Sequence, residues 1–300
     1  MTRVLVVGGT GMLGHKLVQV LGADPALEVH ATVRRPPPRE FAAAAASYHP
    51  DVEIAYGSPR LRAVLERLAP DVVVNAAGAI KQKDLYAAVD ETFYLNATLP
   101  HLLALLNPNP DGRLVHVSTD CTFRGDRGGY TEADPADAED LYGRSKAAGE
   151  VDYGRHLTLR TSIVGPEISG HLSLIGWFLS QPRGSTLPGY TSAIYTGLPT
   201  VTLSRTIHRL VRDGVPLSGL YHVASEPVDK CSLLRRVNGA LGLGHTLVPD
   251  DSAPMDRSLD DTRFREATGT ARPGWDELVA EMVEDLRSLP YERGYPALRA

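Results

Sequence analysis

Short apolar runs alternate with amphipathic stretches through the first half of the chain. "RVLVVGG" is almost wholly apolar and reads as a buried strand, while "GMLGHKLVQVLG" repeats apolar positions at helical spacing. "LEVHATVRR" is a second strand. "PPPREFAAAAASYHP" is a connection with one short helix, "VEIAYG" a third strand and "RLRAVLERLA" a helix. "PDVVVNAAG" is a fourth strand. A long helical pattern runs from Tyr86 to Leu106, with a break expected near Pro100, because proline has no N–H to donate. "GRLVHVSTD" is a fifth strand, a helix is expected from about Ala138 to His156, and "HLTLRTSIVG" is a sixth strand.

Continuous Val/Ile/Leu strands belong in a sheet covered on both faces. Their alternation with helices calls for parallel strands joined by right-handed crossovers. The expected class is therefore α/β, a doubly wound parallel sheet of Rossmann-like type with a smaller C-terminal lobe. The pattern loosens after Gly165 into a Gly-, Pro- and Ser/Thr-rich stretch with one apolar helix-like piece. It then recovers in the helix "VTLSRTIHRLVRDG", the strand "GLYHVAS", the helix "DKCSLLRRVNGALG" and the amphipathic helix "WDELVAEMVEDLRSL". The expected division is a first domain over 1–165, to which 198–225 returns, and a second lobe made of 166–197 and 226–300.

"GGTGMLG" sets Gly8, Gly11 and Gly14 three apart, between a strand and a helix. That context is a phosphate cradle: the glycines let the turn tighten, and backbone N–H groups at a helix N-terminus face an anion. Gly8, Thr10, Gly11, Met12, Leu13 and Gly14 are the expected dinucleotide contacts, which makes 1–165 a dinucleotide-binding domain. The end of the second strand lies beside the adenosine ribose, where an acidic residue selects NAD. Arg34 and Arg35 stand there instead. A guanidinium pairs with a 2′-phosphate, so NADPH is expected as cofactor, over NADH.

"YGRSK" places Tyr142 and Lys146 on one face of a helix. An ammonium near a phenol favours the phenolate and makes the tyrosine a usable acid or base near neutral pH. "STD" closes the strand before it, at the sheet edge where open α/β folds bind ligands, and offers Ser118 and Thr119 to a substrate oxygen.

The net charge of −5 argues against a global grip on nucleic acid or anionic lipid. Two distant cysteines, Cys121 and Cys231, fit neither a disulfide framework nor a zinc spacing and read as reduced thiols. With no leader pattern and no bilayer-length apolar run, a cytoplasmic protein is expected, with no membrane partner. The carboxylates form no convincing metal set.

"GGTGMLG", "NAAG", "VHVSTD", "YGRSKAAGE" and "LRTSIVG" follow one another in the order and spacing of extended short-chain dehydrogenases/reductases. The stretch from "LVHVSTDCTFRG" to "YGRSKAAGEV" most resembles the dTDP-4-dehydrorhamnose reductase branch. The resemblance covers almost the whole chain and is specific through residue 165. It implies a catalytic set of Thr119, Tyr142 and Lys146, with Ala76, Ala77 and Gly78 bordering the cofactor and Asn96 near the site. Ser118, Tyr142 and Lys146 would also touch the cofactor. Thr119, Asp120 and Cys121 would face the sugar, although the family usually has an aromatic residue where Cys121 stands. Arg183, Lys230 and Arg235 of the second, substrate-binding lobe are candidates for the diphosphate. The implied activity is NADPH-dependent reduction of a 4-keto-6-deoxy nucleotide sugar, with a homodimer as the assembly the resemblance admits. Two alternatives stay open: an epimerase or dehydratase holding NAD tightly, for which Asp120 is the obvious extra acid/base group, and a non-catalytic NADP-binding regulatory subunit.

Overall fold

The computed structural model describes residues 1–81 and 84–299. The chain divides into two compact units. Unit 1 comprises Met1–Arg124, Glu132–Arg160 and Ser204–Tyr221; unit 2 comprises Gly125–Thr131, Thr161–Leu203 and His222–Ala300.

Unit 1 is built on strands β1 (Thr2–Val7), β2 (Leu27–Thr32), β3 (Ser47–His49), β4 (Val72–Asn75), β5 (Arg113–Thr119) and β6 (Leu157–Thr161). The sheet order is β3-β2-β1-β4-β5-β6, with the strand Gly219–His222 added outside β6. β1 pairs parallel with β2 and β4, β2 with β3, and β4 with β5. The order reverses direction between β1 and β4, the arrangement that opens a crevice at the strand carboxyl ends. Helices α1 (Gly14–Gly22), α2 (Pro59–Leu68), α3 (Val89–Phe93), α4 (Leu99–Leu106) and α5 (Leu141–Ala148) are the helical connections of this sheet. Leu5, Val7, Val73, Leu114, Leu65, Leu99 and Leu103 belong to one buried cluster between strands and helices. Each such side chain contributes roughly 1.5–3 kcal/mol by leaving water.

Three elements depart from the sequence expectation. The third strand is Ser47–His49, inside the stretch read as a connection, and not "VEIAYG". Asp51 takes a left-handed backbone that ends the strand. Of the following residues, Val52 is buried in the core, its N–H donating to Val33 O at 3.1 Å, and Ile54 packs half-buried against that core. The expected break near Pro100 is replaced by a π turn over Tyr94–Thr98 that joins α3 to α4. Pro100 has no N–H for the Asn96 carbonyl four residues back, and a wider turn accommodates that loss. The helix expected over Ala138–His156 is confined to Leu141–Ala148. Asp140 caps its start, accepting from the Gly143 N–H at 2.9 Å. Beyond Gly149 the chain turns so that Glu150 meets Arg160, and Val151 is tied to Thr158 of β6.

Unit 2 contains helices Leu174–Ser180, Lys230–Leu241 and Trp275–Ser288. It also holds small sheets: Thr186–Tyr190 pairs parallel with Thr246–Asp250, and Ala193–Tyr195 pairs with Val228–Asp229 and Met255–Asp256. The helix Thr200–Arg212 carries the chain from unit 2 back into unit 1.

Candidate active site

The turn after β1 is held from both sides. Gly8 sits at φ +89, and a Cβ on Gly14 would overlap its carbonyl oxygen, so the turn closes only with glycine at both places. Gly9 donates to Thr32 O at 2.9 Å, which ties the turn to the end of β2. The buried ring of His15 reaches back with Nδ1 to Gly11 O at 2.9 Å. Among the described residues, the N–H groups of Met12 and Leu13 find no acceptor. Unpaired donors at a helix start, over glycines without side chains, suit a pyrophosphate. Gly11 is exposed and Thr10 half-exposed beside them. Arg34 and Arg35 follow β2 and are both exposed, free to reach an anion there.

The segment after β4 lies against this turn. Ala76 donates to Val7 O at 3.1 Å, and Ala77 is the nearest neighbour of Gly8. Gly78 faces the amide of Asn96. Asn96, fully buried in the π turn, accepts from the Ala79 N–H at 2.8 Å and donates to the Ser145 hydroxyl at 3.1 Å. Asn96 therefore joins the segment beside the glycine turn to α5, the helix that bears Tyr142 and Lys146.

α5 also packs on the turn that follows β5. Gly143 meets the backbone of Cys121, and Thr119 Oγ1 accepts from the Cys121 N–H at 3.1 Å. The Thr119 hydroxyl lies near enough to the Tyr142 phenol to favour its ionised form. Thr119 also donates to Asp120 Oδ1 at 3.1 Å. Burial pushes the Tyr142 phenol well above its ordinary value; the Cys121 thiol, Asp120 and Asp140 push the same way, and the Thr119 hydroxyl opposes them. This corrects the expectation of a phenol lowered by the ammonium. Lys146 Nζ turns instead to Val117 O, at 2.9 Å, and to His116 Nε2, at 3.4 Å. Burial lowers the Lys146 amine to about 8, against the pull of Glu150. The phenol is thus a protonated acid, and the lysine a more acidic one than usual.

Four residues that the motifs did not single out hold this arrangement. Glu150 accepts from the Ser118 hydroxyl at 2.7 Å and forms a two-pronged buried ion pair with Arg160, at 2.8 and 2.6 Å. Arg160 in turn stacks over Phe123. Asn75 and His116 form a buried pair beside Lys146. A polar residue inside an otherwise apolar strand, such as His116 in "LVHVS", is the signal that marks such a position.

The remaining candidates lie in unit 2. The Arg183 guanidinium donates to Ala297 O at 2.9 Å and Gly242 O at 2.6 Å, so it holds backbone. Lys230 and Arg235 are five apart on one helix, about 140° round its axis, and do not share a face. Among the described residues no three His, Cys, Asp or Glu groups are placed to hold a metal ion. No helix among them is long and apolar enough to cross a membrane.

A glycine turn at the switch point of a 3-2-1-4-5-6 sheet defines a doubly wound α/β protein of the Rossmann type. More particularly, the chain belongs to the family described as the RmlD substrate binding domain, whose family model matches residues 1–237. It is 28% identical over 312 residues to the dTDP-4-dehydrorhamnose reductase of Shigella flexneri, covering 95% of this chain and 98% of that one. It is 35% identical over 150 residues to a probable dTDP-4,6-dihydroxy-2-methyloxan-3-one 4-ketoreductase of Streptomyces antibioticus. That match spans 49% of this chain and only 45% of the relative's length. Among solved structures it resembles the dTDP-4-dehydrorhamnose reductase of Bacillus anthracis in complex with NADP. The TM-score is 0.75 at 19% identity, over 95% of this chain and 99% of that chain.

Proposed function

We propose that this protein is an NADPH-dependent reductase of a 4-keto-6-deoxy nucleotide sugar. The observation that carries the reading is the nearness of the Tyr142 phenol to the Thr119 hydroxyl, at the carboxyl end of β5 and with Lys146 one turn along α5. Family membership and the reductases named among its relatives support it.

Bound NADPH would supply a hydride to the ketone carbon. The unpaired N–H groups of Met12 and Leu13 hold the pyrophosphate, and Arg34 and Arg35 take the 2′-phosphate. Ala76, Ala77 and Gly78 border the cofactor. Thr119 hydrogen-bonds the ketone oxygen, and Tyr142 passes its proton to that oxygen as negative charge builds there. A hydrogen-bond donor placed in this way contributes about 3–4 kcal/mol to such a step. Lys146 orients the nicotinamide ribose hydroxyls, Asn96 fixes the height of α5, and Asp120 and Cys121 line the sugar side. Lys230 and Arg235 remain the diphosphate candidates of unit 2. We further read the protein as cytoplasmic, in keeping with the absence of a disulfide at Cys121 and Cys231, with a homodimer as an admitted assembly.

NADPH absorbance followed against a panel of nucleotide 4-ketosugars tests the reading. Turnover with at least one of them, and little with NADH, is expected. Protein that purifies with stoichiometric NAD and consumes no NADPH would instead fit a dehydratase or epimerase that uses Asp120.

A further inference from the structure

We propose that Asn75 and His116 form a tautomer lock that presents a ring N–H to the amine of Lys146. His116 thereby acts as a positioning residue that weakens the hold of Lys146 on its third proton. The role rests on the reductase reading of Tyr142 and Lys146; the lock itself does not.

The orientation of each group follows from its neighbours. Asn75, at the end of β4, accepts from the Ala77 N–H with Oδ1 at 3.1 Å, which fixes the rotation of its amide. Nδ2, a donor only, then faces His116 Nδ1 at 3.1 Å. The His116 ring is fully buried, and burial, with the nearby positive charge of Lys146 and a smaller contribution from His101, drives its pKa well below the ordinary value. It is therefore a neutral imidazole. A neutral imidazole that accepts at Nδ1 carries its proton on Nε2. Nε2 stands 3.4 Å from Lys146 Nζ.

An N–H facing nitrogen suits a free amine, whose lone pair accepts, and opposes an ammonium, which has none. The carbonyl of Val117, at 2.9 Å from Nζ, accepts from either form. Glu150 draws the amine toward the charged form, but Arg160 and Ser118 already occupy its carboxylate. Asp120 and Asp140 act on the Tyr142 phenol, not on the Lys146 amine. The lock is thus the contact that disfavours charge on Lys146 from the β5 side.

The consequence is a proton supply. Once Tyr142 has given its proton to the alkoxide, the phenolate must regain one. An ammonium whose acidity lies near the working pH gives a proton to solvent and recovers one readily, so the phenolate is resupplied through solvent and not by a direct Lys146–Tyr142 contact. An unperturbed lysine holds its proton more tightly.

Two spectroscopic measurements on the intact protein test the lock without any substrate. The first is the tautomer of His116, read from long-range ¹⁵N–¹H couplings of ¹⁵N-histidine protein. Nε2–H, unchanged down to mildly acidic pH, is expected, and Nδ1–H overturns the proposal. The second is the pH titration of the Lys146 Cε resonance in ¹³C-lysine protein, assigned by Lys146→Met. A midpoint near 8 is expected in the native protein. It should rise by about one pH unit, tenfold in proton affinity, in Asn75→Leu, where the ring is free to turn its lone pair to the ammonium. The same rise is expected in His116→Gln, whose carbonyl can accept from it. No rise in either folded variant overturns the proposal, and if neither variant folds the tautomer measurement decides alone. If the reductase reading also holds, the pH profile of turnover moves with the Lys146 midpoint. A rise in the midpoint in a protein that reduces no 4-ketosugar would sink that reading and leave the lock standing.

Discussion

Gly143 and Cys121 meet backbone to backbone, and a Cβ on Gly143 would overlap the Cys121 carbonyl oxygen. This contact sets the distance between α5 and the turn after β5, and so the distance between Tyr142 and Thr119. Gly143→Ala should push the first turn of α5 outward. The expected cost is about 1–3 kcal/mol of stability, with turnover reduced at least tenfold. Urea unfolding and steady-state kinetics measure the two effects, and near-native values of both would show that α5 is not seated on this contact.

Tyr142→Phe should fold and bind NADPH within about twofold of the native protein. Its turnover should fall by roughly 10²–10⁴, the range for losing a positioned proton donor. Fluorescence titration with NADPH and a turnover assay check the two halves of the statement. A near-native rate removes Tyr142 from the role of acid.

Arg34→Ala and Arg35→Ala should weaken NADPH binding and leave NADH binding nearly unchanged, because each removes a charge from the 2′-phosphate alone. The expected loss is roughly tenfold for whichever arginine makes the charge-assisted contact, about 1.4 kcal/mol. Dissociation constants for both cofactors in both variants decide it, and an unaltered preference in the pair rules the assignment out.

Glu150→Gln leaves the Arg160 guanidinium buried without its counter-charge. Side chains 4% and 9% exposed make this a costly removal, about 3–5 kcal/mol. The glutamine amide oxygen can still accept from the Ser118 hydroxyl, so the loss falls on the Arg160 pair. Thermal and urea unfolding should show the loss, while Glu28→Gln, at a half-exposed pair with Arg3, should cost under about 1 kcal/mol.

Burial holds the His15 ring down at about 4, from an ordinary value of 6.5. Above pH 6.5 the folded and unfolded chains both carry it neutral. As pH falls through 6.5, the unfolded chain takes up a proton that the folded chain refuses, so stability is lost until about pH 4 and then levels off. The full difference is roughly 3 kcal/mol. Denaturant unfolding at pH 7 and pH 5 should show part of this loss in the native protein and less of it in His15→Gln. An equal loss in both would place the acid sensitivity elsewhere.

The sheet was legible because its strands are apolar on both faces, which leaves little choice of partner layer. Gly8 and Gly14 were legible because a tight turn between strand and helix demands glycine there. Tyr142, Lys146 and Thr119 were proposed from spacing and from position at a strand end. What sequence periodicity missed was set by contacts distant along the chain. "VEIAYG" looks like a strand, yet the left-handed turn at Asp51 and the pairing of Ser47–His49 with β2 decide otherwise. The end of α5 depends on Arg160 receiving Glu150, and nothing local announces that pair. The direction of the Tyr142 shift was also hidden, since it depends on burial and on where the Lys146 amine points.

The π turn at Tyr94–Thr98 holds one residue more than a regular turn would. Removing a single residue there would restore an ordinary α-helix and re-phase everything before it by about 100°. Asn96 would swing off the Ala79 backbone, and the segment beside the glycine turn would lose its tie to α5. A one-residue alignment gap in this short window is therefore a switch between two different helical faces, and chains that lack the extra residue should not be assumed to build this crevice.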